Sequence, residues 1–201
     1  MLTFDEEKHE YRWAGQVVPS VTQILAPIID LSRIPADALE VARQKGRAIH
    51  KTVELDVAGK LDEDELPEWL IPVLANWRKF VHDAGVTVLA SERQVYHPMY
   101  RYAGTFDLLV DMRHAATTAM IDIKRSFIAG QATGLQTAAY LEAYANSFEM
   151  GSPSKKARRS KRFALRLNES GPYQLEEFTD QSHFRDFQIL LSYYNLKRKY
   201  A

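Results

Sequence analysis

The sequence contains no cysteine in 201 residues. Disulfides, zinc ribbons, thiol catalysis and cysteine-ligated iron–sulfur clusters are therefore excluded. No apolar run approaches the roughly 18 residues that a membrane-spanning helix needs. The opening Met1-Leu2-Thr3-Phe4-Asp5-Glu6-Glu7 turns acidic at once, with neither a signal-peptide apolar region nor an Arg-rich transit pattern, so a cytoplasmic location is expected. The patterns G-x4-G-K-[ST], H-E-x-x-H, G-x-S-x-G and G-x-G-x-x-G are absent, which removes an attached nucleotide-driven motor and several common enzyme classes. Net charge is lacking too, with 26 Lys/Arg against 26 Asp/Glu. The balance hides an asymmetry: residues 155–201 hold 11 basic and 5 acidic side chains, so the preceding 154 carry a net −6.

What remains is ordinary globular composition, 46% hydrophobic and 26% charged, enough for a single domain spanning 1–201. Phe4 to Trp13, a turn at Ala14-Gly15 and Gln16 to Val18 predict an entry hairpin, followed by a short helix capped by Ser20. Helical spacing runs from Pro35 to about Ala58 and from Leu66 to about Ala84, on either side of an acidic linker, Leu61 to Glu65. The period then changes. Val86–Tyr96, Tyr102–Met112 and Ala119–Lys124 read as strands. A helix from Gly134 to Phe148, a hairpin of Arg162–Leu167 with Tyr173–Phe178, and a final helix capped by Asp180 complete the order. The predicted class is mixed α/β (α+β), a central mixed sheet flanked by helices.

The chemistry lies in the middle strands. Asp107 interrupts Gly104-Thr105-Phe106-Asp107-Leu108-Leu109-Val110, and Asp122 and Lys124 interrupt Met120-Ile121-Asp122-Ile123-Lys124. Charged groups in such apolar strands are costly unless compensated. Asp122 and Lys124, two apart, project from one face. A hairpin centred near His114-Ala115, with paired positions totalling 229, sets Asp107 opposite Asp122, and directly opposed residues have Cβ atoms roughly 5 Å apart. Two carboxylates that close repel, and a hard divalent cation resolves the conflict. A plain ion pair of Lys124 with one aspartate is the structural alternative.

Further residues fall in with these. Gly46, His50 and Glu54 share a helix face, where His50 can offer a neutral imidazole and Gly46 is expected to permit close approach to the sheet. Gln136 and Tyr140 stand one turn apart, able to reach phosphate oxygens or a water. Glu92 lies in the strand before Asp107, and it and Glu54 are possible additional members.

Together Gly46-x3-His50, Gly104 ahead of Asp107, Asp122-Ile123-Lys124 and Gln136-x3-Tyr140 resemble the PD-(D/E)xK nucleases. Within them they resemble the RecB-like exonuclease branch, which includes phage-encoded and mitochondrial genome-maintenance exonucleases. The match runs from about Lys45 to Tyr140. Asp122 replaces the commoner Glu, and Phe106 stands where Pro often precedes the first aspartate. The resemblance implies a restriction-endonuclease-like core and Mg²⁺- or Mn²⁺-dependent hydrolysis of DNA, with no iron–sulfur cluster. It also implies that His50, Asp107, Asp122 and the Ile123 carbonyl hold one or two ions. Lys124 positions or deprotonates a water, its pKa lowered by partial desolvation beside a cation; Gln136 orients water or phosphate, and Tyr140 contacts the backbone.

Substrate grip requires positive charge. Lys155, Lys156, Arg158, Arg159, Lys161 and Arg162 put six basic residues in eight, next to Gly151-Ser152-Pro153-Ser154, and predict a mobile basic loop at about 150–162 that contacts DNA. The expected partner is DNA, single-stranded or with free ends, in phage or prophage recombination or repair within a bacterial or phage-infected cell, where a recombination or single-strand-binding protein is a further possible partner. The alternatives are an endonuclease of the same fold and a catalytically silent DNA- or partner-binding protein on a nuclease scaffold.

Overall fold

The computed structural model describes residues 1–126, 130–147 and 159–200. Lys155, Lys156, Arg158 and most of the expected basic loop lie outside the described residues. Strands β1 (Leu2–Asp5), β2 (Glu10–Trp13) and β3 (Gln16–Val18) form a small antiparallel sheet. One strand more than expected results because the chain also turns between Asp5 and Glu10: the Asp5 carboxylate accepts from the Lys8 N–H, and His9 takes φ 49°. Helix α1 (Val21–Leu25) starts on a capping box, in which Ser20 Oγ accepts from the Gln23 N–H and Gln23 Oε1 accepts from the Ser20 N–H. Next come α2 (Ala36–Val57) and α3 (Ile71–Ala84), the latter entered through a 3₁₀ turn at Glu68–Leu70 and closed by Gly85 in the left-handed conformation, φ 59°.

The main sheet has five strands in the order β4 (Val86–His97), β5 (Tyr102–Met112), β6 (Thr117–Lys124), β7 (Lys161–Arg166) and β8 (Gln174–Glu177). Among the described strands of this sheet only β6 and β7 run parallel, and α4 (Gly130–Asn146) lies between them in the chain. Helix α5 (His183–Tyr200) ends the fold. Asp180 is not its cap: the Asp180 carboxylate accepts from the Ser182 N–H, and Ser182 O accepts the first helical N–H, from Asp186. The architecture is thus mixed α/β, a mixed sheet flanked by helices, as the sequence predicts.

Each sheet face has its own core. Ile49 and Val53 of α2 and Val73, Trp77 and Phe80 of α3 pack on Leu108, Val110, Ile121 and Ile123. On the other face Ile24, Leu135, Ala139, Tyr140, Phe187 and Leu191 pack on Tyr102, Phe106, Leu109 and Met120. The small sheet joins through Tyr11, Val18, Tyr96 and Ala103, with Trp13 stacked on Tyr96 at 4.4 Å between centroids.

The β5–β6 connection positions the site. Arg113 donates its backbone N–H to Gly85 O, and His114 Nδ1 lies 2.8 Å from Asp83 O, so the turn is pinned to the end of α3. The register from Met112↔Thr117 to Leu108↔Ile121 keeps paired positions totalling 229, as expected. Regular β5–β6 pairing stops at Leu108↔Ile121, one step before the two aspartates.

Candidate active site

A regular strand sends alternate residues to one face. In β5, Tyr102 and Phe106 face α4 and α5, whereas Leu108, Val110 and Met112 face α2 and α3. The alternation therefore flips at Asp107. Its neighbour in β4 is irregular as well: Glu92 has φ 46° and falls between the pairs Ser91↔Leu108 and Arg93↔Phe106. A non-glycine residue in this region costs of order 1 kcal/mol or more and persists only where the surrounding structure holds it. The break in alternation turns both carboxylates out of the regular pleat, into the gap where β5 and β6 separate.

Asp107 fills that gap. It is 8% exposed, and its Oδ2 accepts the Ile123 N–H at 2.6 Å, giving a partner to a donor that the separating strands no longer pair. From α2, His50 donates from Nε2 to the Ile123 carbonyl at 3.0 Å; a carbonyl only accepts, so Nε2 carries the proton. Nδ1 then faces Asp107 Oδ1 at 3.4 Å and Glu92 Oε1 at 3.7 Å. Ligand atoms of His50, Glu92 and Asp107 all lie within 4.8 Å of one another.

Asp122 and Lys124 approach from the α4 side. Lys124 Nζ is 2.6 Å from Asp122 Oδ2 and 3.3 Å from Gln136 Oε1, and Gln136 Nε2 donates to the Tyr140 hydroxyl at 3.4 Å. Asp122 is buried, and its Oδ2, despite the close ammonium, has no hydrogen bond of acceptable geometry.

These neighbours set the charge states. Burial alone would lower the His50 pKa, but the charge of Asp107 and contacts with Asp107 and Glu92 carry it well above the ordinary imidazole value. Burial raises Asp107, yet His50, Lys124 and the Ile123 N–H hold it below the usual carboxylate value. Asp122 is pushed up to about 6 by burial and by the Asp107 charge, against the pull of Lys124. Burial raises Glu92 also, reinforced by Asp107 and opposed by His50. Burial acts to lower the Lys124 pKa, but without a bound cation Asp122 and Asp107 outweigh burial and raise it above the ordinary amine value.

Of the residues expected from sequence, His50, Asp107, Asp122, the Ile123 carbonyl, Lys124 and Gln136 converge. Glu92 joins His50 and Asp107 in the trio with ligand spacing, a place the sequence assigned to Asp122. Glu54 stays on the flank of α2, paired with Lys51 at 2.9 Å. Tyr140 is 4% exposed beneath Gly104, so it supports Gln136 from below rather than meeting a DNA backbone. Arg159 is exposed; Lys161 pairs with Glu177 at 2.9 Å. Arg162 turns inward at 8% exposure and donates to Gly134 O and Asp180 O, which makes it a tie between α4 and the segment before α5 instead of a surface contact.

The sequence reading missed a charge cluster after Lys124: Arg125 and Lys45 both grip Glu169, at 2.7 and 2.9 Å. Those contacts, Arg125 first, lower the Glu169 carboxyl to about 2. Arg125 was adjacent to the motif, but nothing local marks Glu169, 44 residues on, as its partner.

The donor set suits a hard divalent cation. An imidazole nitrogen, two carboxylates at mutual ligand spacing and the buried Asp122 carboxylate nearby are the oxygen-rich, nitrogen-tolerant ligands that Mg²⁺ and Mn²⁺ accept. No protein-family model matches the chain, and no curated protein matches it. Among solved structures the chain is similar to an alkaline exonuclease from Laribacter hongkongensis, LHK-Exo, at 12% identity and TM-score 0.41, over 90% of this chain and 87% of that one. It is also similar to LHK-Exo in complex with dAMP, at 11% identity and TM-score 0.40 over the same shares of both chains.

Proposed function

We propose that the chain is a single-domain, divalent-metal-dependent deoxyribonuclease that hydrolyses phosphodiester bonds from DNA ends, an exonuclease of phage or prophage recombination, repair or processing. One observation carries this reading: Asp107, Asp122, Glu92, His50 and Lys124, drawn from three strands and a helix, converge where β5 and β6 part. The motif resemblance to RecB-like PD-(D/E)xK nucleases supports it.

His50, Glu92 and Asp107, with Asp122 and the Ile123 carbonyl beside them, are the residues to hold Mg²⁺ or Mn²⁺. Such an ion, when bound, supplies Lewis-acid polarisation of the scissile phosphate and favours deprotonation of a nearby water. The protein's own residues do the rest. Lys124, held against Asp122, donates to a phosphate oxygen or to the attacking water and offsets charge that builds up on phosphorus-bound oxygens. Gln136 fixes the Lys124 amine from one side while Tyr140 fixes Gln136. His50, anchored through Nε2, presents Nδ1 in one orientation.

The test is incubation with end-labelled linear single- and double-stranded DNA and with closed circles, in Mg²⁺, Mn²⁺ or chelator. Metal-dependent release of label from linear DNA, with circles intact, supports an exonuclease. Cleaved circles would make it an endonuclease, and binding without cleavage a silent scaffold.

A further inference from the structure

Gly46 is expected from sequence to let α2 approach the sheet, and the structure overturns that reason. A Cβ built at Gly46 meets no atom of the described residues within 4 Å. Its φ is not among the positive values, so the backbone does not demand glycine either. Glycine is the poorest helix former after proline. Here it sits mid-helix, relieving no strain and no contact with the described residues.

Its surroundings point to something outside the chain. None of residues 36–48 is buried; α2 meets the core first through the partly buried Ala48 and then at Ile49, Thr52 and Val53. The part of α2 before Ala48 therefore stands clear of the core as a wall running up to the site. On that wall Gly46 lies one turn before His50, on the same face, and the exposed Arg43 lies seven residues before His50, two turns along the same stripe. Reading outward from the site, the face presents an imidazole, then bare backbone, then a guanidinium.

We propose that Gly46 is a clearance position for substrate: a DNA strand entering the site lies against the bare helix backbone there, with a phosphate next to the scissile one facing Arg43. The inference rests on the nuclease reading and deepens it by assigning the substrate's path. A guanidinium is suited to a phosphate by its planar fork of donors. A side chain at position 46 would fill the space between that phosphate and the reacting one.

The experiment compares the full chain with Gly46→Ala and Gly46→Leu, measuring melting temperature and steady-state cleavage of single-stranded DNA with Mn²⁺. Both variants should fold and melt at or above the parent temperature, because a Cβ there meets no atom of the described residues and either residue is a better helix former than glycine. KM for DNA should rise by about threefold in Gly46→Ala and at least about tenfold in Gly46→Leu, with kcat at saturation within about threefold of the parent. A folded Gly46→Leu variant with the parent KM would overturn the inference, as would losses confined to kcat or matched by a fall in melting temperature. An inactive parent protein would overturn the nuclease reading itself, and this path with it.

Discussion

Substituting Gly104 by alanine tests how the site is held together. Gly104 lies in β5, three residues before Asp107, without a positive φ, so alanine meets no backbone objection. Its Cβ, however, would stand 2.5 Å from Cε1 of Tyr140 and 3.4 Å from two further ring atoms. That ring is 4% exposed and packed within the α4-side core, so it cannot swing into solvent. Inserting a methyl into a filled core costs about 1–3 kcal/mol. For a chain of this size the melting temperature falls by about 2–4 °C per kcal/mol, which gives a drop of about 2–12 °C. Gln136, bonded to the Tyr140 hydroxyl, moves with the ring, and Lys124 loses its fixed partner; cleavage should fall together with stability. Denaturant unfolding of Gly104→Ala, Tyr140→Ala and the double variant isolates the contact. Tyr140→Ala alone should cost about 3–5 kcal/mol, and adding Gly104→Ala to it should cost almost nothing, a coupling of about 1–3 kcal/mol. A Gly104→Ala protein that unfolds at the parent midpoint would refute the reasoning, as would strictly additive variants.

Other outcomes follow from the charges. The Asp122 carboxyl is raised from 3.8 to about 6, so its contribution to folding is fully present below pH 3.8 and is lost as pH rises through about 6. In chelator at pH 7, Asp122→Asn should therefore stabilise the fold by up to about 3 kcal/mol, the pull of Lys124 being already contained in that shift; at pH 4 most of the gain disappears. A destabilised Asp122→Asn protein at pH 7, measured by denaturant unfolding, would contradict the assigned burial cost. Lys124→Ala should reduce kcat by about a hundredfold or more while leaving the circular dichroism spectrum unchanged, since the amine acts on charge that develops in the reaction; near-parent kcat would remove its role. Neutralising Lys155, Lys156, Arg158 and Arg159 together should weaken DNA binding and flatten the slope of log K against log[salt], and an unchanged slope would show that the tract does not touch phosphate.

Much of the scaffold was legible in the chain because its signals are local. The alternation of Ile121, Asp122, Ile123 and Lys124 and the turn near His114 were enough to set the β5–β6 register, and Ser20 as a cap marked the start of the first helix. The parts that were not legible depend on departures from local regularity or on distant partners. Glu92 enters the site only because its backbone takes φ 46° opposite a break in β5, and no side-chain pattern announces that. Tyr140 looked like a surface phenol beside Gln136, but the missing side chain at Gly104 draws its ring under the sheet. Arg162 belongs to a basic run by composition, yet burial and two carbonyls 18 and 28 residues away claim its guanidinium.

The central claim is that His50, Glu92 and Asp107 share one cation. Diffraction from crystals soaked in Mn²⁺, collected at a wavelength where manganese scatters anomalously, tests it directly. An anomalous peak is expected among His50 Nδ1, Glu92 and Asp107, lost in Asp107→Ala. Soaked crystals with no peak there, or with manganese bound only elsewhere, would contradict it.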